Sequence, residues 1–344
     1  MLELCSRVLS QHMVQKKDME YMQECLNLAK RGLGKVSPNP MVGAIIVKGN
    51  KIIARAYHSN FGEEHAESKA IKKTSKLACK GATLYLNLEP CVHYGKTPPC
   101  VEKVIAADIK KVVIGTLDPN PLVQGKGVRK MRKAGVRVET GVLAKECREL
   151  NRTFFKYMKT GLPYLTVKIA QTADGFIAKP SGQSKWITSK DSRSYVHRLR
   201  GQNDGILVGA NTVLKDNPQL TLHKQDGTQP WRIILDRRAR TPKDSYILTD
   251  EFRDKTIIIS KKQSLRYILK DLAKQGISSI LIEGGAQIYE SFLKEGLVDE
   301  LFLFTSHKRF EEGLRAFNSA HLRQFKEIQE KKISTDTLRI FHRK

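Results

Sequence analysis

Three side chains that bind metals and one carboxylate stand close enough together in this chain to make a reaction centre. They come in two pieces, His65-Ala66-Glu67 and then Pro90-Cys91 and Cys100. One imidazole and two thiolates are zinc donors, and a zinc site that activates water needs three protein ligands and one open position. Glu67, two residues beyond the histidine, is then placed to take a proton from the water and pass it to a leaving group. A lone His-x-Glu arises by chance in many chains, whereas His-x-Glu joined to Pro-Cys at this distance is specific. The bland alternative makes His65 a surface helix residue, and Cys91 and Cys100 buried thiols or a structural zinc pair. It leaves unexplained why the apolar run 82–89 leads straight into Pro90-Cys91, delivering a thiol to a strand end.

The pattern H-x-E with P-C-x-x-C marks zinc deaminases acting on nucleobases. This chain departs from it in one respect. Eight residues, Val92 to Pro99, separate the two cysteines instead of two.

The surrounding residues predict the elements that must hold these groups. Asp18 can cap a helix whose apolar face is Met19, Met22, Cys25, Leu26 and Ala29, closing near Gly32 and Gly34. Strands follow over 41–47 and 51–57, joined by a Gly49-Asn50 turn. A helix runs from Ala66 to about Leu77, and a strand over 82–88 leads into the cysteine loop, where Pro90, Pro98, Pro99 and Gly95 forbid regular structure. Cys100 opens the next helix and a strand over 111–115 closes the unit. Both metal-bearing segments therefore sit at helix N-termini, where the helix dipole stabilises a thiolate. After a linker over 156–163 a second alternation begins. Its strands are expected over 164–170, 205–208, 231–235, 256–260, 279–282 and 300–304, with helices over 191–200, 265–275 and 287–295. Two domains follow from this, 1–155 and 156–344.

Composition narrows the class. A chain of 344 residues, with 40% hydrophobic and 28% charged residues, can bury two ordinary cores. No run approaches the roughly 20 apolar residues that cross a bilayer, so no membrane partner is expected. The first fifteen residues lack the layout of a signal peptide, and six thinly spread cysteines do not form a disulfide framework. A reducing cytoplasm is the expected compartment. The net charge of +26 would suit a nucleic-acid binder. However, the basic residues are scattered over helix faces, with no basic tail and no aromatic-basic interleaving. A solvated cationic surface that also steers small anions is the preferred reading.

Longer motifs carry a resemblance. They are Ser37-Pro-Asn-Pro-Met-Val-Gly43, His65-Ala-Glu67, the thirteen residues from Leu88 to Cys100, and Asp118-Pro-Asn-Pro-Leu-Val-Gln-Gly125. Further on come Asp174-Gly175, Ser184-Lys-Trp-Ile-Thr188 and Glu283-Gly-Gly285. Over about 16–304 the chain resembles the bifunctional deaminase–reductases of riboflavin biosynthesis. The resemblance implies an α/β chain: a cytidine-deaminase-like three-layer αβα domain, then a dihydrofolate-reductase-like α/β domain. It implies zinc-dependent hydrolytic deamination of a 2,5-diamino-6-(ribosylamino)pyrimidinone 5'-phosphate, then NADPH-dependent reduction of the ribosyl group to ribityl. Phosphorylated pyrimidines would be the partners, and the family often forms homo-oligomers.

Site residues carry over by motif. In the first half the resemblance makes His65, Cys91 and Cys100 the zinc ligands and Glu67 the catalytic acid–base. Asn39, His58, Ala66, His93 and Lys96 would contact substrate, with His58 and Lys96 at its phosphate. In the second half, Ala170, Trp186, Thr212, Asp216 and the run Gly285, Ala286, Gln287, Ile288, Tyr289, Glu290 and Ser291 would line NADPH. Ser184, Arg200, Leu220, His223 and Glu283 would line the substrate. On the residues alone, Glu283-Gly-Gly285 after an apolar strand permits a phosphate to approach a helix N-terminus, without the full dinucleotide fingerprint. Trp186 alternatively reads as a core aromatic, and Asp216-Asn-Pro218 as a turn. Three departures stand out: Thr221-Leu-His223 for the usual Thr-Val-Arg, Ser306-His-Lys-Arg-Phe310 for Pro-Lys-Leu-Leu-Gly, and Ala173-Asp-Gly175 for Leu-Asp-Gly. Two competing readings are a deaminase with a non-catalytic second domain and a nucleic-acid-editing deaminase.

Overall fold

Strands form where the apolar residues are densest. Gly43–Lys48 (β1), Lys51–Tyr57 (β2), Thr83–Leu88 (β3), Lys111–Thr116 (β4) and Arg137–Thr140 (β5) make one sheet in the order β2-β1-β3-β4-β5. Successive side chains of a strand point to opposite faces, and both faces of β1 are buried. Ala44 and Ile46 join one core cluster with Leu84, Leu86, Val112 and Ile114. Ile45 and Val47 join another with Tyr85, Val113, Met22, Cys25 and Leu26. Helices cover both sides, giving three αβα layers. The helix Leu2–Ala29 lies so close to β1 that a Cβ on Gly43 would meet the Cys25 carbonyl.

The computed structural model describes residues 2–92, 99–222 and 228–344, with side chains from Gln15 onward. His93, Lys96 and His223 lie outside the described residues. The chain divides into two compact units, Met1–Thr160 and Gly161–Lys344. No described helix is long and apolar enough to cross a membrane.

The second unit contains Tyr164–Gln171 (β6), Phe176–Ala178 (β7), Gly205–Gly209 (β8), Trp231–Leu235 (β9), Thr256–Ile259 (β10), Ser279–Gly284 (β11) and Glu300–Thr305 (β12). Leu314–Arg315 (β13), Phe325–Ile333 (β14) and Asp336–Arg343 (β15) complete it. Eight strands form a sheet in the order β10-β9-β8-β11-β6-β12-β15-β14, and β13 pairs with β7. The pairs from β10 through β12 are parallel, and β15 and β14 are added antiparallel. The helices Leu265–Lys274 and Ala286–Lys294 pack on one face, and Lys190–Gly201 and Ala210–Asp216 on the other.

Four expectations need correction. The first helix does not start at Asp18 but runs through it, and Asp18 is buried, accepting the Tyr85 hydroxyl at 2.5 Å and pairing with Lys111 at 3.1 Å. Asp18 fills the inward position four residues before Met22, so Met19 turns outward and is 50% exposed. The helix expected from Ala66 to Leu77 is two, Ala66–Lys72 and Lys76–Cys79, because the Ser75 hydroxyl caps the second by accepting the Ala78 N–H at 3.1 Å. The expected linker begins inside a helix, Arg152–Thr160.

Candidate active sites

In the first unit the site is assembled from the ends of elements. His65 is the extended residue that precedes the helix Ala66–Lys72, and Glu67 lies in its first turn. Cys91 follows β3 after Glu89 and Pro90, and Cys100 opens the helix Cys100–Ala106. The His65 Nδ1 lies 3.6 Å from the Cys91 Sγ and 3.3 Å from the Cys100 Sγ. All three ligand atoms fall within 4.8 Å of one another, and among the described residues this is the group arranged to hold a metal ion.

Two thiols at such range oppose each other's ionisation. Cys91 is pulled down to about 4, first by its hydrogen bond with Cys100 and then by His65, while Cys100 is pushed up by Cys91 and by burial. A cation between them lets both be thiolates, so the donor set fits zinc. Glu67 is 3% exposed and its Oε2 has no hydrogen-bond partner among the described residues. Burial raises its pKa, with His65 opposing. An orphaned carboxylate oxygen beside the donor set fits a water held there.

His65, Glu67 and Cys91 line a cavity of about 330 Å³ together with Asn39, His58, Asp118 and Asn120. His58 is 2% exposed, 5.3 Å from the His65 ring centroid, and burial lowers its pKa. A neutral ring that donates Nδ1–H to the Glu64 carbonyl at 3.4 Å leaves Nε2 to accept from the Asn39 amide at 3.3 Å. His58 therefore orients Asn39 from within the wall, a placement poorly suited to gripping a phosphate. Ala66 is fully buried.

Sequence reasoning missed the opposite wall. Glu89 accepts the N–H groups of Asp118 at 3.3 Å, Gly125 at 2.9 Å and Val128 at 3.1 Å, tying the 118–125 segment to the end of β3. Burial, with Glu89 adding to it, pushes Asp118 up to about 6. The signal was present, since Glu89 adjoins Pro90-Cys91 and Asp118-Pro-Asn120 lies in a motif stretch, yet acidic loop residues are common.

In the second unit the predicted residues converge at the carboxyl ends of parallel strands, where open α/β sheets bind ligands. Glu283 on β11 takes a two-pronged grip from Arg200, at 2.5 and 3.0 Å, and Lys168 on β6 lies 3.8 Å away. Burial alone would raise the Glu283 pKa, but Arg200 and Lys168 outweigh it and hold it down. Burial lowers that of Lys168 despite Glu283. Lys168 is a further residue that sequence reasoning missed, because one lysine in a strand carries no signature. Arg200 also donates to the Thr221 carbonyl at 3.3 Å, beside the buried Leu220.

Next to this cluster Gly285 precedes the helix Ala286–Lys294 with no side-chain cap, so its first N–H groups can face an anion. Thr212 closes on the turn, since a Cβ on Gly284 would lie 3.1 Å from its Oγ1. Asp216, on the same helix as Thr212, accepts the Ser184 hydroxyl at 3.4 Å. Ala170 lies near the end of β6, in register with Phe304 of β12. Trp186 is 62% exposed, which overturns its reading as a core aromatic. A glycine turn that side chains would fill, at an uncapped helix start, fits a dinucleotide phosphate. Ala286, Gln287 and Ile288 form the start of that helix, and the next three residues continue it with side-chain partners of their own. Tyr289 donates to the Lys168 carbonyl at 2.9 Å, Glu290 holds His321 at 2.9 Å, and the Ser291 hydroxyl donates to the Gln287 carbonyl at 2.7 Å.

Comparison with known proteins covers both units. Residues 15–116 match the model of the cytidine and deoxycytidylate deaminase zinc-binding region, and residues 163–339 match the RibD C-terminal domain. The riboflavin biosynthesis protein RibD of Aquifex aeolicus is 45% identical over 88% of this chain and 90% of its own length. That of Escherichia coli is 38% identical over 85% and 88%. The Acinetobacter baumannii RibD structure superposes with a TM-score of 0.90 at 37% identity, covering 96% of this chain and 99% of that one. A Thermotoga maritima diaminohydroxyphosphoribosylaminopyrimidine deaminase/5-amino-6-(5-phosphoribosylamino)uracil reductase gives 0.88 at 39% identity, with the same coverage.

Proposed function

The chain belongs to the RibD family, the bifunctional deaminase–reductases of riboflavin biosynthesis, and from that premise we propose how its residues divide the two reactions. The observation that carries the reading is the meeting of His65, Cys91 and Cys100 within 4.8 Å, with the buried, unpartnered Glu67 oxygen beside them. The three side chains hold zinc, which when bound supplies Lewis acidity and brings the pKa of a water toward neutrality. Glu67 accepts that water's proton at Oε2 and returns it to the departing amine, so that a ring C–NH2 becomes C=O and ammonia leaves. The substrate is a diaminohydroxyphosphoribosylaminopyrimidine. Asn39, oriented by His58, hydrogen-bonds its pyrimidine, and Asp118 and Asn120 form the facing wall. His93 and Lys96 contact the substrate, with Lys96 at its phosphate.

The unit Gly161–Lys344 carries the reductase. Bound NADPH would supply a hydride, which together with one proton takes the ribosyl group to ribityl and leaves NADP+. The Gly284-Gly285 turn and the helix start hold its phosphates, with Ala170, Thr212, Asp216 and Trp186 around it. Arg200, Glu283, Ser184 and Leu220 receive the 5-amino-6-(5-phosphoribosylamino)uracil, with His223 at its phosphate. Lys168 keeps a proton at Nζ beside the Glu283 carboxylate. The chain works in the cytoplasm as a homo-oligomer.

A coupled assay tests the reading. Purified, zinc-loaded protein is given the diaminopyrimidine phosphate, and ammonia release and NADPH oxidation are followed separately. Ammonia followed by NADPH loss is expected. Ammonia alone would reduce the second unit to a non-catalytic module, and neither signal would overturn the assignment of both sites.

A further inference from the structure

Trp186 is exposed, yet it is held from two directions. The Arg193 guanidinium lies over the indole, 4.4 Å from its centroid, and donates to the Thr188 carbonyl at 2.6 Å. The Trp186 carbonyl accepts the Lys308 ammonium at 2.6 Å. Lys308 is itself anchored, because its carbonyl accepts the Ala173 N–H at 2.8 Å. The residues after it are fixed as well, since the Asp174 carboxylate accepts the N–H groups of Phe310 at 3.0 Å and Glu311 at 2.9 Å. A continuous set of bonds thus runs from the turn at 172–175, through the segment after β12, to the loop that carries Trp186.

An exposed tryptophan on a free loop loses conformational entropy when a ligand packs against it, and the loss weakens binding. A loop held at its carbonyls and an indole backed by a cation have already lost that freedom. With one face occupied by Arg193, the rest of the indole, 62% of the residue being exposed, is an apolar surface left open for a ligand. Neither cation is consumed by a carboxylate among the ion pairs of the described residues, so both are kept for the loop.

We propose that Arg193 and Lys308 are positioning residues of the reductase, holding Trp186 as a preformed wall for NADPH. Neither touches the reacting atoms. The proposal rests on the reading of Trp186 as a cofactor residue.

The test uses the full, zinc-loaded chain with Lys308→Met, Arg193→Met and Lys308→Arg. The KM for NADPH and kcat are measured at saturating pyrimidine, and NADPH quenching is read in a Trp231→Phe background, which leaves Trp186 as the sole tryptophan of the two. Each methionine variant is expected to raise the KM for NADPH roughly three- to tenfold. The kcat at saturating NADPH should stay within about twofold of the parent, a loss of uniform binding. Lys308→Arg should restore most of the affinity, and ammonia release should not change. Methionine variants with an unchanged KM for NADPH would overturn the proposal while leaving the cofactor reading intact. A rise in the pyrimidine KM alone would overturn it too. A parent chain without saturable quenching would overturn the cofactor reading and this proposal together. If Lys308→Met fails to fold, Arg193→Met decides the matter by the same split.

Discussion

The metal centre and the reductase cleft are built in opposite ways. At the first, every group proposed to hold zinc or move a proton lies between His65 and Cys100, at the ends of elements fixed by buried strands. At the second, Lys168, Arg200 and Glu283 come from distant parts of the chain, and the proposed recognition is shared among a glycine turn, a helix start and an exposed indole. A metal concentrates binding energy in a few donors, whereas a cofactor spreads it over many weak contacts. The first site should therefore fail abruptly under single substitutions and the second should degrade in steps.

The sharpest break is expected from Cys100→Ser. Losing one of three donors should strip zinc and abolish ammonia release, with NADPH oxidation of supplied uracil substrate intact. Metal analysis of the purified variant checks this, and full zinc occupancy would place the metal elsewhere. Glu67→Gln should keep its zinc and lose roughly 10²- to 10⁴-fold in deamination kcat. A loss smaller than tenfold would remove Glu67 from the proton path.

The reductase side should respond more gradually. Glu283→Gln leaves Arg200 facing a neutral partner and should destabilise the second unit by about 3 kcal/mol in urea unfolding at pH 7. Here the sign with pH is fixed. The Glu283 carboxyl is held below its unfolded value, so the wild-type advantage is complete above about pH 4.3 and fades as pH falls through the lower folded value. An advantage that instead grew on acidification would contradict the ion-pair account. Smallest of all, and back in the first unit, Lys130→Ala breaks an exposed pair with Glu102 and should change stability by less than about 0.5 kcal/mol.

The same contrast explains what the sequence disclosed. The zinc triad was legible because metal chemistry demands few residue types at fixed spacing, and β1, β3 and β4 were legible as apolar runs. Lys168 was not, since its role comes only from the distant Glu283 and Arg200. Asp18 was misread because a helix-capping residue and a buried partner for Tyr85 and Lys111 look alike in one dimension. The β14–β15 hairpin escaped because β14 is an edge strand, exposed along most of its length and rich in charge, which resembles a loop. Tyr289, Glu290 and Ser291 share a helix with the glycine turn, but only the packing reveals their side-chain partners, the Lys168 carbonyl, His321 and the Gln287 carbonyl.

The central claim is that two chemically independent sites act in sequence on one chain. The most direct measurement gives zinc-loaded Glu67→Gln protein the diaminopyrimidine phosphate with NADPH, then adds the deaminated uracil substrate to the same cuvette. The account predicts negligible ammonia and negligible NADPH oxidation at first, then NADPH oxidation at the wild-type rate after the addition. NADPH oxidation before the addition, or none after it, would contradict the account.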